Sequence, residues 1–69
     1  MTHDQALKIA SKHTDRVYNI RHEQGWFRVL SSPTYTIGWV DPAGNYHSYT
    51  GDGWQMIKPD IDDWIELGG

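Results

Sequence analysis

VYNIRHEQGWFRVL, residues 17–30, is the stretch that decides the fold. Val17 to His22 has the two-residue period of a strand, with every second side chain on one face. Gln24-Gly25 provides a short turn, and Trp26 to Leu30 returns as a second strand. The stretch therefore predicts an antiparallel β-hairpin.

Three further strands are predicted at Tyr35 to Val40, Tyr46 to Thr50 and Trp54 to Ile57. In the first of these, Tyr35, Ile37 and Trp39 hold alternate positions, so we expect them on one face. Asp41-Pro42-Ala43-Gly44 has the proline and glycine positions of a type I turn. Because the links are short, the strands are expected to pair as an antiparallel meander.

A helix is predicted before the hairpin. Thr2 and Gln5 have the spacing of a capping box, and an apolar stripe of helical period runs from Ala6 to His13. The period changes near Thr14-Asp15, where the helix should end. Pro59 ends the fifth strand, and a short helical or irregular tail is expected after it.

These elements predict the α+β fold class, as a single domain of residues 1–69. The helix is expected to pack on one face of a small antiparallel sheet of about five strands. A chain of 69 residues buries only about 60% of its unfolded surface, so it needs a dense core. Four tryptophans, four tyrosines and one phenylalanine are expected to supply that core first.

The chain has no cysteine, which suits a reducing compartment. No apolar run approaches the length of about 20 residues that spans a bilayer, and no signal-peptide pattern opens the sequence. We therefore expect a soluble cytoplasmic protein without a membrane partner.

Catalytic patterns are weak. The sequence lacks a cysteine nucleophile and a G-x-S-x-G motif, and His22 and His47 have no serine at a defining spacing. Acidic residues are crowded into residues 60–66, but the spacing of a Ca²⁺ loop is missing, and helix capping with a solvated face explains them. The histidines lack zinc-site spacing. The sequence predicts no enzymatic activity, no cofactor and no metal.

Charge is divided unevenly along a chain whose net charge is −3. Residues 1–40 carry five bases against three acids, whereas residues 41–69 carry one base against six acids. Such asymmetry favours electrostatic steering toward a charged partner, and exposed Trp, Tyr and Arg are typical of protein interfaces. The predicted contact groups are a basic set, Arg16, Arg21 and Arg28, or an acidic set, Asp60, Asp62, Asp63 and Glu66.

Three features together resemble small bacteriophage-encoded proteins, among them anti-CRISPR inhibitors of type I systems. They are QALKIASK at residues 5–12, a strand with a hydrophobic-x-x-Ile core from Val17 to Ile20, and a later glycine-linked hairpin with tryptophan. The resemblance covers about a third of the chain. It implies a cysteine-poor α+β domain that binds a host protein or ribonucleoprotein complex in the host cytoplasm, and it brings no shared catalytic motif. The implied function is a non-catalytic inhibitor or regulator that acts through protein–protein contacts.

Two alternatives stay open at this point. Asn19, Arg21, Trp26 and Arg28 would form a basic, aromatic sheet face suited to nucleic-acid stacking and phosphate contact. The overall acidity of the chain weighs against it, because affinity for polyanions depends on neutralising phosphates. The second alternative is a self-associating structural protein whose exposed aromatics form a homodimer interface.

Charge reversal of both contact sets is expected to weaken partner binding without changing the fold. A pull-down compares the variants with the wild type, and circular dichroism checks the fold. Unaltered binding would remove these sets from the interface.

Overall fold

A computed structural model describes residues 1–49, 52–59, 62 and 65. One helix precedes five strands: α1 (His3–His13), β1 (Asn19–Glu23), β2 (Trp26–Ser32), β3 (Tyr35–Val40), β4 (Tyr46–Tyr49) and β5 (Trp54–Ile57). Each strand pairs antiparallel with the next, in the order β1-β2-β3-β4-β5. The predicted α+β class and the meander are confirmed.

Helix α1 begins at the predicted capping box. The Thr2 amide donates to Oε1 of Gln5 at 2.8 Å, and the Gln5 amide donates to Oγ1 of Thr2 at 3.2 Å. These bonds satisfy two amides that would otherwise lack a partner at a helix start. Ala6, Ile9 and Ala10 are buried against the sheet, where the two small side chains permit a close approach.

The turn between β1 and β2 is also as predicted. Gln24 and Gly25 both have positive φ, 52° and 84°, as a two-residue turn of type I′ requires. The bounds of the strands differ slightly from the prediction. Strand β1 begins at Asn19 and not at Val17, which packs against the core, while β2 continues two residues beyond Leu30 to Ser32.

The buried core is mostly aliphatic, and the expectation that the aromatics fill it is only partly met. Phe27 and Tyr46 are buried, but none of the described tryptophans is. The helix-facing side of the sheet is filled by small and branched residues, and strand alternation turns the tryptophans to the other side. The other buried apolar residues are Ala6, Ile9, Ala10, Ile20, Val29, Leu30 and Val40.

The predicted common face for Tyr35, Ile37 and Trp39 is wrong. Val29 pairs with Gly38 but Leu30 pairs with Thr36, which leaves Ile37 as an extra residue in β3. Such a bulge interrupts the alternation of side chains. Ile37 therefore packs against the core on the helix side, while Trp39 lies on the opposite face beside Arg28.

Tyr46 joins the sheet to the end of the helix. Its ring stacks on His13, with centroids 4.8 Å apart and planes 17° from parallel. On its other side it lies over Gly38 of β3, where a β-carbon would stand 2.5 Å from the Tyr46 hydroxyl oxygen. Burial raises the pKa of Tyr46 above its ordinary value, so the phenol stays neutral in the folded chain.

Gly38→Ala is expected to lower the free energy of unfolding by about 1–3 kcal/mol, because the added methyl group overpacks the sheet. The new atom would also stand 2.9 Å from the backbone oxygen of His47, which cannot move as a free side chain can. Urea unfolding followed by circular dichroism measures the change. A variant as stable as the wild type would show that Tyr46 does not lie over Gly38.

Candidate functional site

The face of the sheet opposite α1 carries a row of side chains across all five strands. Cross-strand partners lie on the same face, and the pairings connect neighbours continuously. The row runs through Arg21, Arg28, Trp39, His47 and Met56, one residue from each strand.

The middle of this row forms the floor of an open groove of about 520 Å³, which we call the aromatic groove. Its lining residues are Glu23, Gln24, Trp26, Arg28, Trp39, His47 and Trp54. Trp26 meets Trp39 edge to face at 6.4 Å and lies over His47 at 4.7 Å between ring centroids. These contacts hold the rings in place, because each is fixed by a neighbour on another strand.

Arg28 is held by two partners in the groove. Its Nε lies 2.7 Å from Oε2 of Glu23, and its guanidinium carbon lies 4.7 Å from the centroid of the Trp39 ring. The contact is an ion pair, because neither of the two atoms meets the geometry of a hydrogen bond with any described group, each other included. The charge of Arg28 is therefore compensated within the protein, and the groove floor is close to neutral.

Asp41 lies at the β3–β4 turn and holds His47, which lines the groove. Its carboxylate accepts hydrogen bonds from the amides of Ala43 and Asn45 at 2.9 Å and from Nδ2 of Asn45 at 3.0 Å. It also accepts from Nε2 of His47 at 2.9 Å. The Gly44 amide donates to the Asp41 carbonyl at 3.0 Å, which closes the predicted type I turn.

Burial by itself would raise the pKa of Asp41, but hydrogen bonds from His47, from the Asn45 side chain and from two backbone amides outweigh it. The pKa of Asp41 therefore lies below its ordinary value of 3.8. Because an ionised carboxylate can only accept a hydrogen bond, Nε2 of His47 carries the hydrogen of this bond. Nδ1, the second ring nitrogen, takes no part in it. Asp41 thus sets the tautomer and the orientation of His47.

The surroundings of the histidines bear on catalysis. Among residues 1–49 and 52–59, no hydrogen bond joins His22 or His47 to a serine or threonine, and His47 meets one carboxylate in an open groove. His22 stacks on Phe27 at 4.7 Å. Within the described residues, no three His, Asp or Glu side chains gather as metal ligands.

The residues predicted as contact groups lie in different places. Arg21 and Arg28 are cross-strand neighbours, but the charge of Arg28 is paired with Glu23. Arg16 lies apart from both, beside His13 and Tyr46, in a smaller hollow of about 290 Å³. Of the acidic set, Asp62 is exposed. The other three acids, Asp60, Asp63 and Glu66, lie outside the described residues, as does most of the predicted last helix.

The sequence did not predict several residues of the groove as a site, namely Glu23, Gln24, Trp39, His47 and Trp54, nor Asp41, which holds His47. The alternation signal identified Trp26 and Arg28 correctly as one face. To add Trp39 and His47, the cross-strand pairs Arg28–Trp39 and Trp39–His47 have to be known, and the pattern within a single strand does not specify them.

No protein-family model, curated protein or solved structure matches this chain. The resemblance to phage-encoded inhibitors therefore stays a prediction. The described part of the chain contains no helix that is both long and apolar enough to cross a membrane.

Asp41→Asn is expected to lower the free energy of unfolding by about 1–2 kcal/mol at neutral pH, because one amide oxygen cannot replace a carboxylate that accepts four hydrogen bonds. The pKa of Asp41 is lower in the folded chain than in the unfolded chain. The carboxylate therefore stabilises the fold fully at a pH above 3.8, and this stabilisation is lost as the pH falls through the folded pKa. Urea unfolding at pH 7 and pH 3 measures both effects.

The difference between wild type and Asp41→Asn should therefore shrink toward pH 3. Asp15→Asn, at an exposed residue outside the groove, is the matched control and should change stability by under about 0.5 kcal/mol at either pH. An equal loss for both variants would contradict the role given to Asp41.

Proposed function

We propose that this protein is a non-catalytic binding module that holds a partner protein in the aromatic groove. The observation that carries the proposal is the position of three tryptophans, Trp26, Trp39 and Trp54, around one opening on the sheet face that α1 leaves uncovered. As the sequence resemblance implies, the partner is a host protein or ribonucleoprotein complex, and the module acts as a phage-type inhibitor or regulator.

The energetics favour binding on this face. The buried core contains none of these three tryptophans, and 53% of the surface of Trp54 is exposed to solvent. Exposed apolar surface of this kind is stabilised when a partner covers it, at about 25 cal/mol per Å². Trp and Arg are also the residues that contribute most at protein interfaces.

The groove is organised before a partner arrives. Arg28 forms an ion pair with Glu23 and a cation–π contact with the Trp39 ring, and His47 is hydrogen-bonded to Asp41. Side chains that are already ordered lose little conformational entropy on association. This fixed arrangement supports recognition of one complementary surface.

A catalytic role is less well supported. The carboxylate beside His47 is committed to the β3–β4 turn, where it accepts from the Ala43 and Asn45 amides. A His–Asp pair activates a nucleophile only when the nucleophile lies within hydrogen-bond reach. Among the described residues, His47 has no such hydroxyl neighbour.

Direct binding of nucleic acid is also less well supported. The alternative needs Arg21 and Arg28 as a basic pair, but Glu23 neutralises one of them at 2.7 Å. A polynucleotide brings a negative charge with every phosphate, and its affinity depends on how many of these are neutralised. Within the described residues, Arg21 is the arginine of this hairpin without an ion pair, and one such charge favours a partner that carries few charges.

Affinity capture tests the proposal. The full chain is immobilised and exposed to lysate of the cells in which it acts, alongside Trp54→Ala and the control Tyr18→Ala. Trp54 lines the groove, whereas Tyr18 is 62% exposed and lies outside it. We expect one set of proteins to be retained by the wild type and the control and to fall about tenfold with Trp54→Ala.

Circular dichroism checks that both variants keep their fold. Retention of the same proteins by Trp54→Ala and the wild type would contradict the proposal. Capture that nuclease treatment abolishes would instead favour nucleic acid, and a dimer that Trp54→Ala dissociates would favour self-association.

A further inference from the structure

The charge and exposure of the cross-sheet row define which partner segment the aromatic groove fits. Resting on the proposed function, we infer that the groove takes an extended peptide with an acidic side chain at the β1 end and an aliphatic or aromatic side chain at the β5 end. The segment crosses the strands and does not add to an edge of the sheet.

The β1 end of the row presents a cation without a partner. Arg21 is exposed and makes no ion pair with any described residue. Its cross-strand neighbour Arg28 is turned to Glu23 and Trp39, so it does not fully supply a second charge. One carboxylate of a partner is therefore the complementary group at this end.

The β5 end of the row is apolar. Trp54 and Met56 are 53% and 55% exposed, and Tyr49 beside them is 55% exposed. The Tyr49 and Trp54 rings lie 5.5 Å apart and form one continuous apolar surface. Asp52 and Lys58 lie before and after β5, and neither belongs to the strand. An aliphatic or aromatic side chain is the group that this surface stabilises.

The distance between the two ends sets the length of the segment. Arg21 and Met56 lie on strands four spacings apart, and strands are about 4.8 Å apart, so the ends are about 19 Å from one another. An extended peptide rises about 3.3 Å per residue. About six residues therefore separate the acidic side chain from the apolar one.

The middle of the groove is close to electrically neutral, so it does not favour a charged group of the partner. Glu23 and Arg28 compensate each other, and His47 and Asp41 share a hydrogen bond beneath Trp26. Neutral residues of an extended peptide suit this floor, with every second side chain directed into it. A chain with a charge at every unit would leave its central charges over the tryptophans without counterions.

Peptide display tests the inference on the full chain. Random twelve-residue peptides are selected on the immobilised wild type, on Arg21→Glu and on Lys8→Glu. Lys8→Glu makes the same change of charge at an exposed site on α1, outside the row and outside the predicted contact sets. We expect the wild type and Lys8→Glu to enrich peptides with Asp or Glu about six positions from Leu, Phe, Trp or Met, an even separation that directs both side chains into the groove.

Arg21→Glu should select Lys or Arg at the position of the acid while it keeps the apolar residue. Binding of a selected acidic peptide, measured by fluorescence anisotropy, should weaken about tenfold with Arg21→Glu and remain unchanged with Lys8→Glu. A selected peptide whose acid is replaced by lysine should bind Arg21→Glu better than it binds the wild type. Unchanged circular dichroism shows that the variants are folded.

Three results would overturn the inference: no enriched peptide, enriched peptides without an acid, or the same peptides on Arg21→Glu. Tighter binding of labelled single-stranded DNA than of the peptides would overturn it as well. If capture of a partner still depends on Trp54 in these cases, the proposed function stands and only the peptide chemistry fails. If neither capture nor display depends on Trp54, the proposed function itself fails.

Discussion

The two-residue alternation of the strands is the constraint on which this structure depends. Along β2, Phe27 and Val29 point to the helix, while Trp26 and Arg28 point away from it. The residues of β2 therefore contribute to the core with one face and to the aromatic groove with the other. A change in the register of the strand would change both faces. A slip of one residue in β2 would bury Arg28 and expose Val29.

The groove is stabilised by groups that also maintain the fold. Asp41 stabilises the turn between β3 and β4 and, through its hydrogen bond from Nε2, fixes the orientation of the His47 ring in the groove. Glu23 ends β1 and pairs with Arg28 of β2. Among the described elements, α1 covers one face of the sheet, and these polar contacts order the side chains of the opposite face, where no helix packs within the described residues.

Much of the fold could be predicted from the sequence because its signals are local. The capping box at Thr2 and Gln5, the Gln24-Gly25 turn and the type I turn at residues 41–44 all depend on residues within four positions of each other. The groove could be predicted only in part. Trp39 and His47 are placed beside Arg28 by pairing between strands, and the irregular pairing at Leu30, which turns Ile37 away from Trp39, leaves no local pattern.

We propose that the exposed tryptophans form a recognition surface, while mostly aliphatic residues fill the core. The most direct measurement is the NMR relaxation that a soluble paramagnetic agent causes in the indole and methyl protons of the full chain. The account predicts strong broadening of the Trp54 ring, clear broadening of Trp26, and little effect on the methyl groups of Val29 and Val40, which are fully buried. Indole signals as protected as those methyl groups would contradict it.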